Sequence, residues 1–422
     1  MGIISKVFLI FILLNLNPVN QSITHPLNFE APSKNVSVLL PPIINQNDSL
    51  IYQDQTIIIQ TLVVYGNLTL NNSKIFFLPL NGFENHFVIN IQPNAFVNII
   101  KCNFDFSSDV FQSDYSFELH NQSSLLIEKS VINNPGYNSL GFIHGSPQNL
   151  LIYNSTFSNT KTPINISVSH LINSKVIITQ SSFLSSKGLI DFHIDGYNTL
   201  SITDSLFTNE DKNLFSRIVL TNNQNLKILN STFGFINQNI ELKNTSYLTL
   251  MGNNFFSNEP TDISFLNLLN IFNLLIEKNR YSNFQYPIQF NGNKNSGIVH
   301  LNDFYGLPPD LMYKLLPINN SVNFNNNFYE SESFIDLNAD GLSDINFYLD
   351  QEPLMFPFES YSIENNKLTI TNPYLIIISE NHPFKPFFDF NVLLFCSYMA
   401  GIIAILVIYL FRSRVTLKNK KN

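Results

Sequence analysis

A short phrase recurs along this chain and restricts it to one kind of fold. It reads apolar, any residue, apolar, two or three polar residues, then a bulky apolar residue. It appears at Leu150–Phe157, Leu200–Phe207, Leu226–Phe233 and Leu248–Phe255. The closing residue falls at Ile75, Phe104, Ile132, Phe157, Phe183, Phe207, Phe233, Phe255, Tyr281, Phe304 and Phe328, at gaps of 22 to 29 residues. Self-similarity at that period marks a solenoid, in which each repeat buries its apolar face only by stacking on its neighbours.

Within a repeat the apolar positions alternate with period two, as at Leu150/Ile152 and Leu248/Leu250. That is the period of a strand and not of a helix. Ile, Val, Phe, Thr and Tyr supply the strands, while Asn and Ser punctuate the turns. A second strand lies about 15 residues before each closing residue. Its inward pairs read as Ile89/Ile91, Phe117/Leu119, Ile166/Val168, Phe192/Ile194, Ile218/Leu220 and Ile240/Leu242. Two or three strands in so short a repeat predict an all-β, right-handed parallel β-helix of about 11 coils, spaced about 4.8 Å apart along a rod about 50 Å long. Phe104, Phe157, Phe183, Phe207, Phe233 and Phe255 are then expected in an internal aromatic column. Asn154, Ser181, Ser205, Asn230, Asn253 and Asn279 are expected at a corner, where side chains hydrogen-bond along a ladder.

The composition fits a packed rod. Charged residues are 13% of the chain, about half the usual share, while apolar residues are 44%. The net charge of −8 argues against nucleic acid and anionic lipid as partners. The two cysteines, Cys102 and Cys396, lie too far apart in this scheme to pair, so no disulfide framework is expected.

The ends carry targeting signals. Lys6 followed by Val7–Leu14 reads as a secretory signal over residues 1–22. Val392–Phe411 is an uncharged run of 20 residues, long enough to cross a bilayer. Arg412, Arg414, Lys418, Lys420 and Lys421 follow it, so residues 412–422 are expected in the cytoplasm and the solenoid outside the cell or in the periplasm. Between these signals we read an N-terminal cap over 23–62, solenoid repeats over 63–328, a C-terminal cap over 329–357 and a stalk over 358–391. The chain has eleven Asn-x-Ser/Thr sequons, and those beyond the signal, among them Asn35, Asn67, Asn154, Asn230 and Asn244, permit N-glycosylation on the outer part.

The C-terminal cap contains a metal-like motif. Asp336, Asn338, Asp340 and Asp344 stand at positions 1, 3, 5 and 9 of a calcium-loop pattern, with Gly341 at 6 and Leu342 at 7, where a main-chain carbonyl serves. Position 12 is Phe347 instead of the bidentate Glu, and Asp350 follows. Ca²⁺ is the cofactor expected here; the alternative is an Asx-turn loop without metal. Asn327-Phe328-Tyr329, this Asp-rich run and Asp350-x-x-Pro353-Leu354 together resemble the end of NosD-like β-helix proteins. The resemblance runs from about residue 60 to 357, and the coil pattern is shared by all pectate-lyase-like solenoids. It implies a surface or periplasmic right-handed β-helix. In the NosD family it also implies a part in copper-enzyme maturation. The scattered five Met and eight His give copper handling little support here.

Alternation also exposes a candidate site. The outward residues of the second strand include Ser116/Glu118/His120, Ser167/Ser169, Asp191/His193/Asp195, Arg217/Val219/Thr221, Asn239/Glu241/Lys243 and Gln289/Asn291. Asp191, His193 and Asp195 share one side of one strand, and Arg217 is expected beside Asp191 on the next coil. Asp191 and Asp195 are about 13 Å apart at strand spacing. That exceeds the roughly 6.5–9.5 Å of an inverting glycosidase pair. Three readings follow: a solvated ion-pair patch, a sugar-binding groove, or the catalytic centre of a polysaccharide lyase or hydrolase. The chain as a whole reads as a membrane-anchored surface protein that binds carbohydrate or cell-surface partners. The alternatives are a carbohydrate-active enzyme and a maturation factor.

Overall fold

The computed structural model describes residues 37–59, 61–77, 86–104, 114–133, 142–158, 163–168, 173–185, 191–209, 216–234, 238–292, 294–305, 321–329, 353–354, 357, 361–364 and 367–370. Among them the chain forms a parallel β-solenoid of the right-handed type. Each turn passes through three strands, and like strands of successive turns pair in parallel. Three faces result.

The first face is a twelve-stranded sheet that runs from Ser49–Gln53 to Ser321–Asn325. Its strands are the repeating phrase itself. Leu125, Leu150, Val176, Leu200, Leu226 and Leu248 stand in register on consecutive turns. Alternate residues are buried, so the period-two pattern becomes an inward and an outward column. The second face holds the short closing strands, such as Val131–Asn133, Thr156–Ser158 and Ser182–Ser185. The third face holds strands such as Asp114–Leu119, Ile143–Gly145, Ile164–Ser167, Asp191–Asp195 and Ser216–Thr221. Two long strands, Asn254–Ile271 and Arg280–Asn291, run through both the second and third faces and join them into one sheet.

The closing residues form the expected aromatic column. Rings stack from Phe157 through Phe183, Phe207, Phe233, Phe255, Tyr281 and Phe304, with centroids 4.8 to 5.2 Å apart. Phe104 is separated from Phe157 by Ile132 and packs instead on Phe77, Tyr115 and Phe117. Burying each ring contributes about 1.5–3 kcal/mol. The column ends on Tyr329, stacked 5.3 Å from Phe304, and not on the expected Phe328. The reason lies two residues earlier, where Asn327 fills the slot that fixes which neighbour turns inward. Phe328 packs with Leu301 and Leu354. Leu354 donates its N–H to the Asn327 carbonyl, which brings the Pro353-Leu354 segment onto the last turn.

That slot is a ladder at the corner between the first and second faces. The backbone N–H of Ser155 donates to Ser181 Oγ, Ser181 to Ser205 and Ser205 to Ser231, at 3.1–3.2 Å. The series continues from Ser231 to Asn253 Oδ1, then to Asn279, Asn302 and Asn327, at 2.9–3.0 Å. All these side chains are buried. Asn154 and Asn230, expected in the ladder, sit one position earlier. They are exposed and hold φ of 45° and 48°. The same left-handed position recurs at Asn72, Lys101, Lys129, Gln180, Asp204, Gly252, Lys278 and Leu301. It turns the chain sharply enough for the next side chain to point inward. Asn tolerates this region better than other non-Gly residues.

Cys102 occupies a ladder slot. Its buried thiol lies 3.3 Å from the Leu70 and Ile100 carbonyls. Burial pushes its pKa up to about 11 against the pull of the Ser73 and Ile100 backbone. Such a thiol is unreactive. The signal segment, the Asp336–Asp344 loop and the 392–411 span lie outside the described residues, and Tyr361–Glu364 with Lys367–Ile370 form an antiparallel hairpin.

Candidate functional site

The third face carries the polar chemistry. Its inward residues run in register as Phe117, Ile143, Ile164, Phe192, Ile218 and Ile240. This corrects the inward pair expected in one turn. Ile164 and Ile166 are the residues aligned with Phe192 and Ile194, not Ile166 and Val168. The connection from this strand to the first face spans Val168–Ser174 here, against Gly196–Asn198 one turn later, so a fixed count back from the closing residue slips.

With the register fixed, the outward residues form one column. Asn90, Glu118, His144, Asn165 and His193 occupy five successive turns. Val219 interrupts, and Glu241, Asn267 and Gln289 continue it. The polar members are half-buried, and Val219 is buried. Nine positions at about 4.8 Å span roughly 38 Å. His144 and Asn165 escaped the sequence reading because their turns depart from the common offset.

Hydrogen bonds knit the near end of the column. Asn90 Nδ2 donates to Glu118 at 2.9 Å, and Asn90 Oδ1 meets His120 Nε2 at 3.0 Å. His120 Nε2 lies 4.0 Å from Glu118, and Ser116 Oγ lies 3.3 Å from His144 Nε2. These contacts hold imidazoles and a carboxylate at the surface in fixed orientation.

Asp191, His193 and Asp195 lie on the single strand Asp191–Asp195, and Asp191 and Arg217 are register partners. The Arg217 side chain reaches the following turn. Its Nε and Nη2 donate to Glu241 at 3.2 and 3.1 Å, and Lys243 Nζ binds the same carboxylate. Burial pushes the Glu241 pKa up, but the Lys243 hydrogen bond and the charges of Arg217 and Lys243 outweigh it and hold the carboxyl below its ordinary range. Asp195 is equally occupied. It accepts from Ser167 Oγ at 3.1 Å, from Asn222 Nδ2 at 2.6 Å and from Thr221 Oγ1. Beyond Asn222 a line of exposed amides follows, Asn244 Nδ2 donating to Asn222 and Asn270 Nδ2 to Asn244, each at 3.0 Å. Below Asp195, Tyr197 is buried and donates to the Pro147 carbonyl at 3.0 Å. Burial and then the Asp195 charge raise its pKa well above the usual range.

Asn267 Nδ2 donates to Asn239 at 2.9 Å, while its buried Oδ1 has no hydrogen-bond partner among the described residues. No group of three or more His, Cys, Asp and Glu side chains placed to hold a metal occurs among the described residues. Asp336, Asn338, Asp340, Leu342 and Asp344 are outside them. Comparison of the chain with family models, with curated proteins and with solved structures found no match.

Proposed function

We propose that the third face binds an extended carbohydrate without cleaving it. The observation that carries this reading is the column Asn90–Glu118–His144–Asn165–His193, continued at Glu241, Asn267 and Gln289. Donors and acceptors repeat at one turn spacing on a straight line. A polymer of sugar hydroxyls is a repeating partner for such a line. The described carboxylates support binding over catalysis. Asp195 is held by three donors, and Glu241 is held by two cations that keep its carboxyl below the ordinary range, the opposite of a general acid.

In this reading the rod stands outside the cell or in the periplasm, as the resemblance to NosD-like solenoids implies, and the apolar run Val392–Phe411 anchors it. Ca²⁺ held by the Asp336–Asp344 loop stabilises the cap. The test is a glycan array probed with the full chain in detergent, followed by product analysis of every hit. Saturable binding with intact glycan is expected. Shortened or unsaturated products would replace the reading with an enzyme, and silence across the array would remove carbohydrate as the ligand.

A further inference from the structure

We propose that Asn154 and Asn230 are N-glycosylation sites whose sugars line the corner between the first and second faces. Both begin the same tripeptide, Asn154-Ser155-Thr156 and Asn230-Ser231-Thr232. The fold gives each member a separate task. The Asn takes the left-handed turn, at φ 45° and 48°. The Ser enters the buried ladder. The Thr returns to the outward side of the second face, half-buried.

This geometry sets the Asn side chain on the outside of the corner. Both residues are exposed. The two are three turns apart, roughly 14 Å at about 4.8 Å per turn. The intervening corner positions are Gln180 and Asp204, both polar. In the transfer, Nδ2 attacks the anomeric carbon of an oligosaccharide carried on a polyprenyl pyrophosphate. The N–C bond forms, the C–O bond to phosphate breaks, Nδ2 loses one proton and the lipid pyrophosphate departs. The glycosylated amide keeps one N–H.

Asn165 provides the contrast. It also begins a sequon, Asn165-Ile166-Ser167, yet it is half-buried and lies in register between His144 and His193. Ser167 is bonded to Asp195. A sugar there would cover the polar column, so Asn165 is expected bare. The corner between the first and second faces is the one corner that the third face does not share. Sugars on Asn154 and Asn230 therefore leave the column open.

The inference rests on the outward placement of the solenoid. Its test is expression of the full chain in a glycosylating secretory host, with glycosidase release in ¹⁸O water and peptide mass spectrometry. Asn154 and Asn230 are expected to carry the label and Asn165 to lack it. Asn154→Gln with Asn230→Gln should remove two glycans without lowering the melting temperature, because Gln180 already occupies an equivalent position at φ 52°. Label at Asn67 or Asn121 but not at Asn154 and Asn230 would overturn this inference alone. A chain without label at any sequon would overturn it together with the outward placement.

Discussion

Asn253 and Asn279 share one acceptor: the backbone N–H and the side-chain Nδ2 of Asn253 both donate to Asn279 Oδ1, at 3.0 and 2.9 Å. Asn279 in turn donates Nδ2 to the Leu250 carbonyl at 2.9 Å and to Asn302 Oδ1 at 3.0 Å. Both residues are buried. One side chain therefore ties together three consecutive turns of the rod.

Asn279→Ala should be costly. It strands the Asn253 N–H and the Leu250 carbonyl in the interior, and unsatisfied buried groups put the loss at roughly 2–4 kcal/mol. Urea unfolding followed by circular dichroism measures it, and hydrogen exchange should speed up at Asn253. A loss below about 0.5 kcal/mol, within the scatter of ordinary surface substitutions, would contradict the ladder's role.

Tyr281→Phe should be neutral or stabilising. Tyr281 sits in the ring column between Phe255 and Phe304, and its buried hydroxyl has no partner among the described residues. Removing it leaves the ring stack and relieves a desolvated polar atom, a gain of up to about 1–2 kcal/mol. A drop in melting temperature would show that the hydroxyl is satisfied after all.

Gly196→Ala should be among the most damaging single-methyl changes. Gly196 adopts φ +84°, and a Cβ there would lie 1.9 Å from the Val168 carbonyl oxygen of the neighbouring turn. Backbone has to move. Gly252→Ala meets only the end of the Asn230 side chain, at 2.5 Å, and that chain can swing away. Comparing the two melting temperatures checks the close approach of turns. Equal shifts would contradict it.

The fold was legible from the sequence because three independent signals coincide at each turn: alternation on the first face, a left-handed residue, and a small polar ladder residue. At the last turn two aromatics compete, and choosing Tyr329 over Phe328 requires seeing that Asn327, not Asn326, continues the ladder. The strand Asp191–Asp195 and the Asp191–Arg217 register were readable because that turn keeps the common spacing. His144 and Asn165 were not, since connection lengths between the third and first faces vary. Nor does register reveal that Arg217 reaches across to Glu241, because long side chains span turns.

Glu241 predicts a pH signature. Its folded pKa is depressed, so its contribution to stability is present above the unfolded value of about 4.3 and is lost as pH falls through the lower folded value. Wild type should exceed Glu241→Gln in denaturant midpoint at pH 6, and the gap should close below about pH 4. A gap that persists or widens in acid would contradict the pairing with Lys243 and Arg217.

The account turns on whether the third-face column recognises a ligand. The most direct measurement is titration calorimetry of a glycan hit against wild type, against the double variant His144→Ala/His193→Ala, and against Lys227→Ala on the exposed first face. The account predicts binding at least about tenfold weaker in the double variant, equivalent to about 1.4 kcal/mol, and unchanged binding in Lys227→Ala. Full affinity in the double variant, or loss only in Lys227→Ala, would place the ligand elsewhere on the rod and contradict it.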